Sequence, residues 1–194
     1  MGVSKKRIFV IHGWSGNPKE GWFPWLKKEL TKRGMKVFIP AMPNPDYPKI
    51  NAWTNKLKSV VKNPDEKTFF VCHSIGCQAV LRYISGLHNK KIGGIIAVAG
   101  WFNLKGLTTQ EEKTIARPWL TKRIDFKKIK SVVNKTIAIF SDNDPFVSLL
   151  RNKIFFREKL NAKVLVEHRK GHMGGDDKVF KLPSALKSVM KICR

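Results

Sequence analysis

Acidic residues are scarce in this 194-residue chain: 14 Asp and Glu stand against 38 Lys and Arg, a formal charge of +24. Cysteine is scarcer. Cys72, Cys77 and Cys193 are an odd number without framework spacing, which excludes a disulfide scaffold and points to a reducing, cytoplasmic setting. Long apolar runs are missing too. The longest, Gly93 to Phe102, is interrupted by glycine and falls well short of the roughly 20 residues a spanning helix needs. Ile8 to Ile11, behind Lys5, Lys6 and Arg7, is too short for the apolar region of a signal peptide. There is no HExxH or paired-cysteine motif, so neither metal nor cofactor is expected. No repeat, low-complexity tract or linker divides the chain, and one domain over 1–194 is expected.

The basic excess raises nucleic-acid binding as a function class, but its distribution argues against it. Residues 1–50 carry 10 Lys or Arg, 51–100 carry 7, 101–150 carry 9 and 151–194 carry 12. That is an even spread, with no basic tail or block. Lys outnumbers Arg 29 to 9, whereas base readout and bidentate phosphate grip favour Arg. The charge therefore reads as a solvated surface bias, with no specific nucleic-acid partner and no membrane partner expected.

Apolar residues make up 42% of the chain, enough for a packed core. Strand-like runs at Arg7–Ile11, Lys36–Ile39, Thr68–Cys72, Gly93–Ala99, Lys135–Ser141 and Ala162–Glu167 alternate with helical segments at Lys19–Arg33, Asn51–Lys62, Ile75–Leu87 and Pro183–Ile192. Near-continuous apolar strands between amphipathic helices predict an α/β three-layer sandwich around a mostly parallel, doubly wound sheet. The stretch of about 101–130 is polar and long for a connection, which predicts a short cap-like insertion.

In such a sheet, ligands bind beyond the carboxyl ends of the strands. There Cys72-His73-Ser74-Ile75-Gly76 joins a strand to a helix. A serine between small residues at minus two and plus two is a nucleophile elbow, with Cys72 where glycine is usual. The acid and base partners follow the order serine, acid, histidine. Ser141-Asp142-Asn143-Asp144-Pro145 follows the fifth strand, and Lys170-Gly171-His172 follows the sixth. Asp144 is the preferred acid because the residue before proline is held extended; Asp142 is the second choice. His172 is the expected base. His73 is read as packed, His12 as fastening the first loop, and His88 as a surface residue. His168 and His172 have a helical metal spacing, but the neighbouring glycines oppose a helix. His12-Gly13-Trp14-Ser15-Gly16 follows the first strand, so the backbone N–H groups of Trp14 and Ile75 are the expected oxyanion donors. Trp101 and Phe102 are the expected substrate-pocket residues, with Trp119 in the insertion.

These motifs, with Pro40-Ala41-Met42-Pro43-Asn44-Pro45, Trp53, Leu81-Arg82-Tyr83 and Asp125-Phe126, resemble the alpha/beta-hydrolase superfamily. More narrowly, they resemble its small serine hydrolases of the retinoblastoma-binding protein nine and YdeN-like type. The resemblance covers nearly the whole chain. It implies a Ser74-His172-Asp144 triad and acyl-enzyme chemistry on small-molecule esters, with thioesterase and amidase or peptidase activity left open. Two other classes also stay open: a hydrolase-fold module that binds a protein partner, and a polyanion-binding protein.

Overall fold

The computed structural model describes residues 5–194. Six strands form one sheet: β1 (Arg7–Ile11), β2 (Lys36–Phe38), β3 (Thr68–His73), β4 (Gly94–Val98), β5 (Thr136–Ser141) and β6 (Lys163–Glu167). Their spatial order is β2-β1-β3-β4-β5-β6, and each neighbouring pair is parallel. The helices are α1 (Phe23–Lys32), α2 (Ile50–Val60), α3 (Ile75–Ser85), α4 (Gln110–Thr121), α5 (Phe126–Val132), α6 (Leu149–Leu160) and α7 (Pro183–Ile192).

Successive strand residues point to opposite faces, and here both faces are covered. Phe9, Ile11, Phe70, Cys72, Ile95, Ala97, Ala138 and Phe140 face a core shared with α2, α3, α5 and α6. Ile8, Val10, Phe69, Val71, Ile96, Val98, Ile137 and Ile139 face a second core, closed by α1 and α7. This is the expected α/β three-layer arrangement. The chain runs outward from β1 to β2, then returns to add β3 on the other side of β1. That reversal opens a crevice beyond the carboxyl ends of β1 and β3. Among the described residues no helix is long and apolar enough to cross a membrane.

Three local differences from the sequence expectations have physical causes. The helix expected from Lys19 starts at Phe23, because Gly21 turns the chain at φ 49° and Pro24 suits only a first turn. Helix α6 carries no clean apolar stripe. Leu150 and Ile154 are exposed while Asn152 is fully buried, so periodicity does not reveal it. The 101–130 stretch holds α4, opened by a capping box between Thr109 and Glu112, and the first turns of α5. Trp119 of α4 is buried edge-on to Trp53 of α2, with its indole N–H on the Pro48 carbonyl.

Helix α3 lies so close to β1 that only glycine fits at position 76. A Cβ there would sit 2.5 Å from the His12 carbonyl oxygen and 2.9 Å from that of Ile11. Neither backbone atom can yield cheaply. Gly76→Ala is expected to cost more than about 2 kcal/mol in urea denaturation. Gly86→Ala, whose Cβ would meet nothing closer than 3.5 Å, should stay within about 0.5 kcal/mol of wild type. Equal effects of the two would refute the close-approach account.

Candidate active site

Between β3 and α3 a single residue, Ser74, makes the turn. Its backbone sits at φ 52° and ψ −125°, a conformation that costs a non-glycine residue roughly 1–3 kcal/mol. Several contacts hold it there. The Ser74 N–H donates to the Val98 carbonyl (2.9 Å), and its carbonyl accepts from the Cys77 N–H (3.0 Å). Behind the turn, Cys72 and Cys77 are buried, and the Cys77 thiol donates to the Cys72 carbonyl (3.1 Å). Burial holds the Cys77 thiol well above its ordinary pKa, so it stays protonated.

His172 stands over the serine. Its Nδ1–H donates to Asp144 Oδ2 at 2.8 Å, and its Nε2 accepts from the Ser74 hydroxyl at 2.9 Å. Asp144 is 3% exposed. Its other oxygen accepts from the Phe146 and Val147 N–H groups at 2.8 and 2.9 Å. The carboxylate is therefore fully engaged and cannot swing away. Its fixed acceptor sets the His172 tautomer, leaving the Nε2 lone pair for the serine.

Asp142, the second choice of acid, faces elsewhere. It accepts from the Arg169 N–H (2.8 Å) and pairs with His168 Nδ1 (2.5 Å). The Arg169 N–H and His168 hold its carboxyl below the usual range. Its neighbours bind the same loop. Ser141 Oγ accepts from the Lys170 N–H (3.0 Å), and Asn143 Oδ1 accepts from the Gly171 N–H (2.9 Å). Asp142, Ser141, Asn143 and Asp144 thus engage Arg169, Lys170, Gly171 and His172 in turn. His168 belongs to this surface pairing and does not approach Ser74 through any hydrogen bond given by the structure.

His73 adds a contact the sequence did not suggest. Its Nε2–H donates to the His172 carbonyl (2.8 Å), and its ring packs edge-on against the contacting rings of Trp22 and Phe23. Trp22 in turn donates to the Met173 carbonyl (2.8 Å). Burial first, then the nearby His172, pushes the His73 pKa down to about 3. His12 fastens the first loop as expected: its Nδ1–H donates to the Gly13 carbonyl and its Nε2 accepts from the Met42 N–H, each at 2.9 Å. Burial lowers its pKa too.

The first loop closes on the serine. A Cβ on Gly13 would lie 3.2 Å from Ser74 Cβ, which brings the Trp14 backbone beside the elbow. The Ile75 N–H is at the first position of α3, where a helix offers a donor without an intrahelical acceptor. Both expected oxyanion donors therefore belong to segments that meet at Ser74. Trp101 is 2% exposed, with its indole nitrogen 3.4 Å from Ser74 Oγ. Phe102 stacks on Phe155 at 4.2 Å and also meets Phe126 and Phe156. Phe146, which the sequence did not single out, lies edge-on to the His172 ring at 5.4 Å and is 38% exposed. Its only sequence signal was its place two residues after Asp144. Among the described residues no three His, Cys, Asp or Glu side chains group as a metal-ligand set.

A family model described as serine hydrolase matches residues 8–191. The YdeN protein of Bacillus subtilis is 32% identical over 179 residues, covering 92% of this chain and 91% of that one. The serine hydrolase RBBP9 of Rattus norvegicus is 25% identical over 174 residues, covering 88% of each chain. The crystal structure of the ydeN gene product of B. subtilis superposes with a TM-score of 0.87 at 28% identity, covering 97% of this chain and 98% of that one.

The depressed His73 pKa has a consequence for stability. In the unfolded chain this imidazole titrates near 6.5; in the folded protein it stays neutral down to about 3. Its contribution is complete above pH 6.5 and is lost progressively as the pH falls toward 3. Between pH 7 and 4.5 that amounts to about 2–3 kcal/mol at most. His73→Gln should be less stable at pH 7 yet lose less stability on acidification, as measured by urea melts at both pH values. An unchanged difference between the two pH values would exclude the buried neutral imidazole.

Proposed function

This chain belongs to the serine hydrolase family, and on that premise we propose that it is a carboxylesterase for small acyl esters. Ser74 is the nucleophile, His172 the general base and Asp144 the acid that orients it. The observation that carries this reading is the unbroken hydrogen-bonded line from buried Asp144 through His172 to Ser74 Oγ at a strained turn. A serine on an ordinary strand-to-helix turn needs neither the strain nor the partners.

In the proposed reaction His172 Nε2 takes the hydroxyl proton as Oγ attacks the ester carbonyl. Asp144 stabilises the imidazolium while staying ionised. The Trp14 and Ile75 N–H groups hold the carbonyl oxygen as it becomes negative, each contributing roughly 3 kcal/mol to the barrier reduction. His172 returns the proton to the departing alcohol, and water then clears the acyl-enzyme by the reverse sequence. Phe146 beside His172 offers an apolar contact at the mouth. With Trp101 and Phe102 packed inward, a small acyl group suits the site better than a long chain.

Ser74→Ala is expected to lower ester turnover by roughly 10⁶ and to abolish fluorophosphonate labelling. Asp144→Asn should lower kcat by about 10⁴, because the amide favours the wrong histidine tautomer. Asp142→Asn, which keeps an acceptor for the Arg169 N–H, should cost less than about tenfold. Labelling of Ser74→Ala, or equal losses for the two asparagine variants, would overturn the assignment. A stoichiometric protein partner retained equally by wild type and Ser74→Ala, with no labelling of the wild type, would favour a binding module.

A further inference from the structure

Among the described residues, Trp101 is a large buried side chain whose polar atom points at the elbow serine. Its indole nitrogen can only donate, it is cut off from solvent, and the acceptor it reaches is Ser74 Oγ at 3.4 Å. The serine hydroxyl proton is already committed to His172 Nε2. Oγ therefore gives its proton to His172 and accepts one hydrogen bond from Trp101. Its second lone pair is left for a substrate carbonyl.

The loop that presents this donor is held from several directions. Ala99 takes a left-handed backbone at φ 48°. At Gly100 a Cβ would stand 2.7 Å from Phe156 Cζ and 3.1 Å from Cys77 Sγ. The Trp101 carbonyl accepts from the buried Gln78 side chain (2.6 Å), four residues beyond Ser74 on α3. Gln78 is itself bound by Arg82, whose guanidinium donates to the Trp119 and Lys122 carbonyls at 2.9 Å. On the other side, buried Asn152 of α6 accepts from the Phe102 N–H (2.7 Å) and donates to the Asn103 carbonyl (2.8 Å). A side chain that merely filled core volume would not need two buried amides from two helices fixing its backbone, since each buried amide is costly unless fully bonded.

We propose that Trp101 is a catalytic residue, its indole N–H stabilising the charge that passes through Ser74 Oγ in both halves of the reaction. In acylation the Oγ–carbon bond forms, the Oγ proton passes to His172, and the alcohol leaves carrying that proton. In deacylation a water oxygen bonds to the same carbon, its proton passes to His172, the Oγ–carbon bond breaks, and Oγ recovers the proton. Oγ is attacking oxygen in the first half and leaving oxygen in the second. It carries partial negative charge at both barriers, and a donor at this position favours both. Between the barriers Oγ is an ester oxygen, a poor acceptor, so the hydrogen bond strengthens only where charge develops. A 3.4 Å separation in the resting enzyme is compatible with tightening at those points.

The proposal rests on the esterase reading, and the experiment separates the two. Acylation and deacylation by an aryl acetate, and phosphonylation by a fluorophosphonate, are compared for wild type, Trp101→Phe and a variant carrying 3-benzothienylalanine at position 101. The last keeps the ring shape and replaces N–H by sulfur, so it stands in should Trp101→Phe fail to fold. Each variant should slow both half-reactions by about tenfold or more with KM within about twofold, the pattern of a donor that matters at the barrier. In a proton–nitrogen correlation spectrum, the indole resonance absent from Trp101→Phe should shift in Ser74→Ala. A benzothienyl variant as fast as wild type in both halves, or an indole resonance unmoved by Ser74→Ala, overturns the proposal. A wild type inert to both reagents overturns the esterase reading itself, and the role of Trp101 falls with it.

Discussion

Four consecutive side chains, Ser141 to Asp144, engage Arg169 to His172 one for one, and the placement of the histidine depends on that ladder. The loop after β6 contains Gly171, Gly174 and Gly175 and could adopt many shapes in isolation. It is fixed because its N–H groups are satisfied by carboxylate, hydroxyl and amide oxygens from the neighbouring strand end. β5 and β6 are adjacent and parallel, so their carboxyl ends coincide and the two loops meet without a long excursion. His73 and Trp22 grip the same segment from below through the carbonyls of His172 and Met173. Donors and acceptors of the histidine loop are thus bound by different parts of the fold, and His172 inherits the rigidity of the sheet. The ladder also explains why Asp142 could compete with Asp144 in the sequence. Both are committed carboxylates, one to the loop backbone and one to the imidazole.

The sheet, its parallel sense and the order of serine, acid and histidine were legible because each follows from local pattern. Strands buried on both faces read as short apolar runs, and strand ends are marked by glycine, proline and aspartate. The preference for Asp144 over Asp142 rests on one proline, since a residue before proline stays extended, and it is Asp144 that the structure brings to His172. Other features depend on direction, which sequence does not carry. Trp101 follows a strand at the working end, a position that in sequence alone suggests a pocket wall. The tight fit at Gly100 turns it inward instead and leaves its N–H as the part that faces the serine. Helix α6 escaped notice because buried Asn152 interrupts its apolar face while Leu150 and Ile154 point to solvent. Gln78 left a faint signal: it is the one amide in the run Ile75 to Leu81, which is otherwise apolar or glycine.

The charge of +24 shaped little of this. Among the described residues three ion pairs join Lys or Arg side chains to carboxylates, all of them exposed or half-exposed, and such pairs contribute about 1 kcal/mol or less each. The cations are spread over a sheet-and-helix scaffold whose two cores owe nothing to them. Inside the site Asp144 is buried, away from that surface. The excess sets the potential that any approaching molecule meets. The electrostatics at Ser74 Oγ come from groups a few ångströms away, where a single hydrogen bond outweighs distant, salt-screened lysines.

Backbone strain is distributed as this division of labour requires. At the amino ends of the strands, where helices hand over to the sheet, the left-handed residues other than glycine are Asn63, Asn89 and Asn161. Asparagine tolerates that conformation at little cost. At the carboxyl ends they include Ser15 after β1, Ser74 after β3, Ala99 after β4, and Arg169 and Met173 after β6, residues for which the same backbone is unfavourable. Asn44 after β2 is the tolerant exception on that side. One edge of the sheet therefore makes its turns cheaply and the other holds strained ones. The strained turns are those that carry the first loop, Ser74, Trp101 and His172. Strain of this kind persists only where surrounding contacts over-determine it, and each of these turns has such contacts: Pro45 to Ser15, Val98 to Ser74, Gln78 and Asn152 around Trp101, and the aspartate ladder along the last loop. The stability of the two cores is what permits one edge of the molecule to hold Ser74, Trp101 and His172 on turns that backbone preferences alone would not choose.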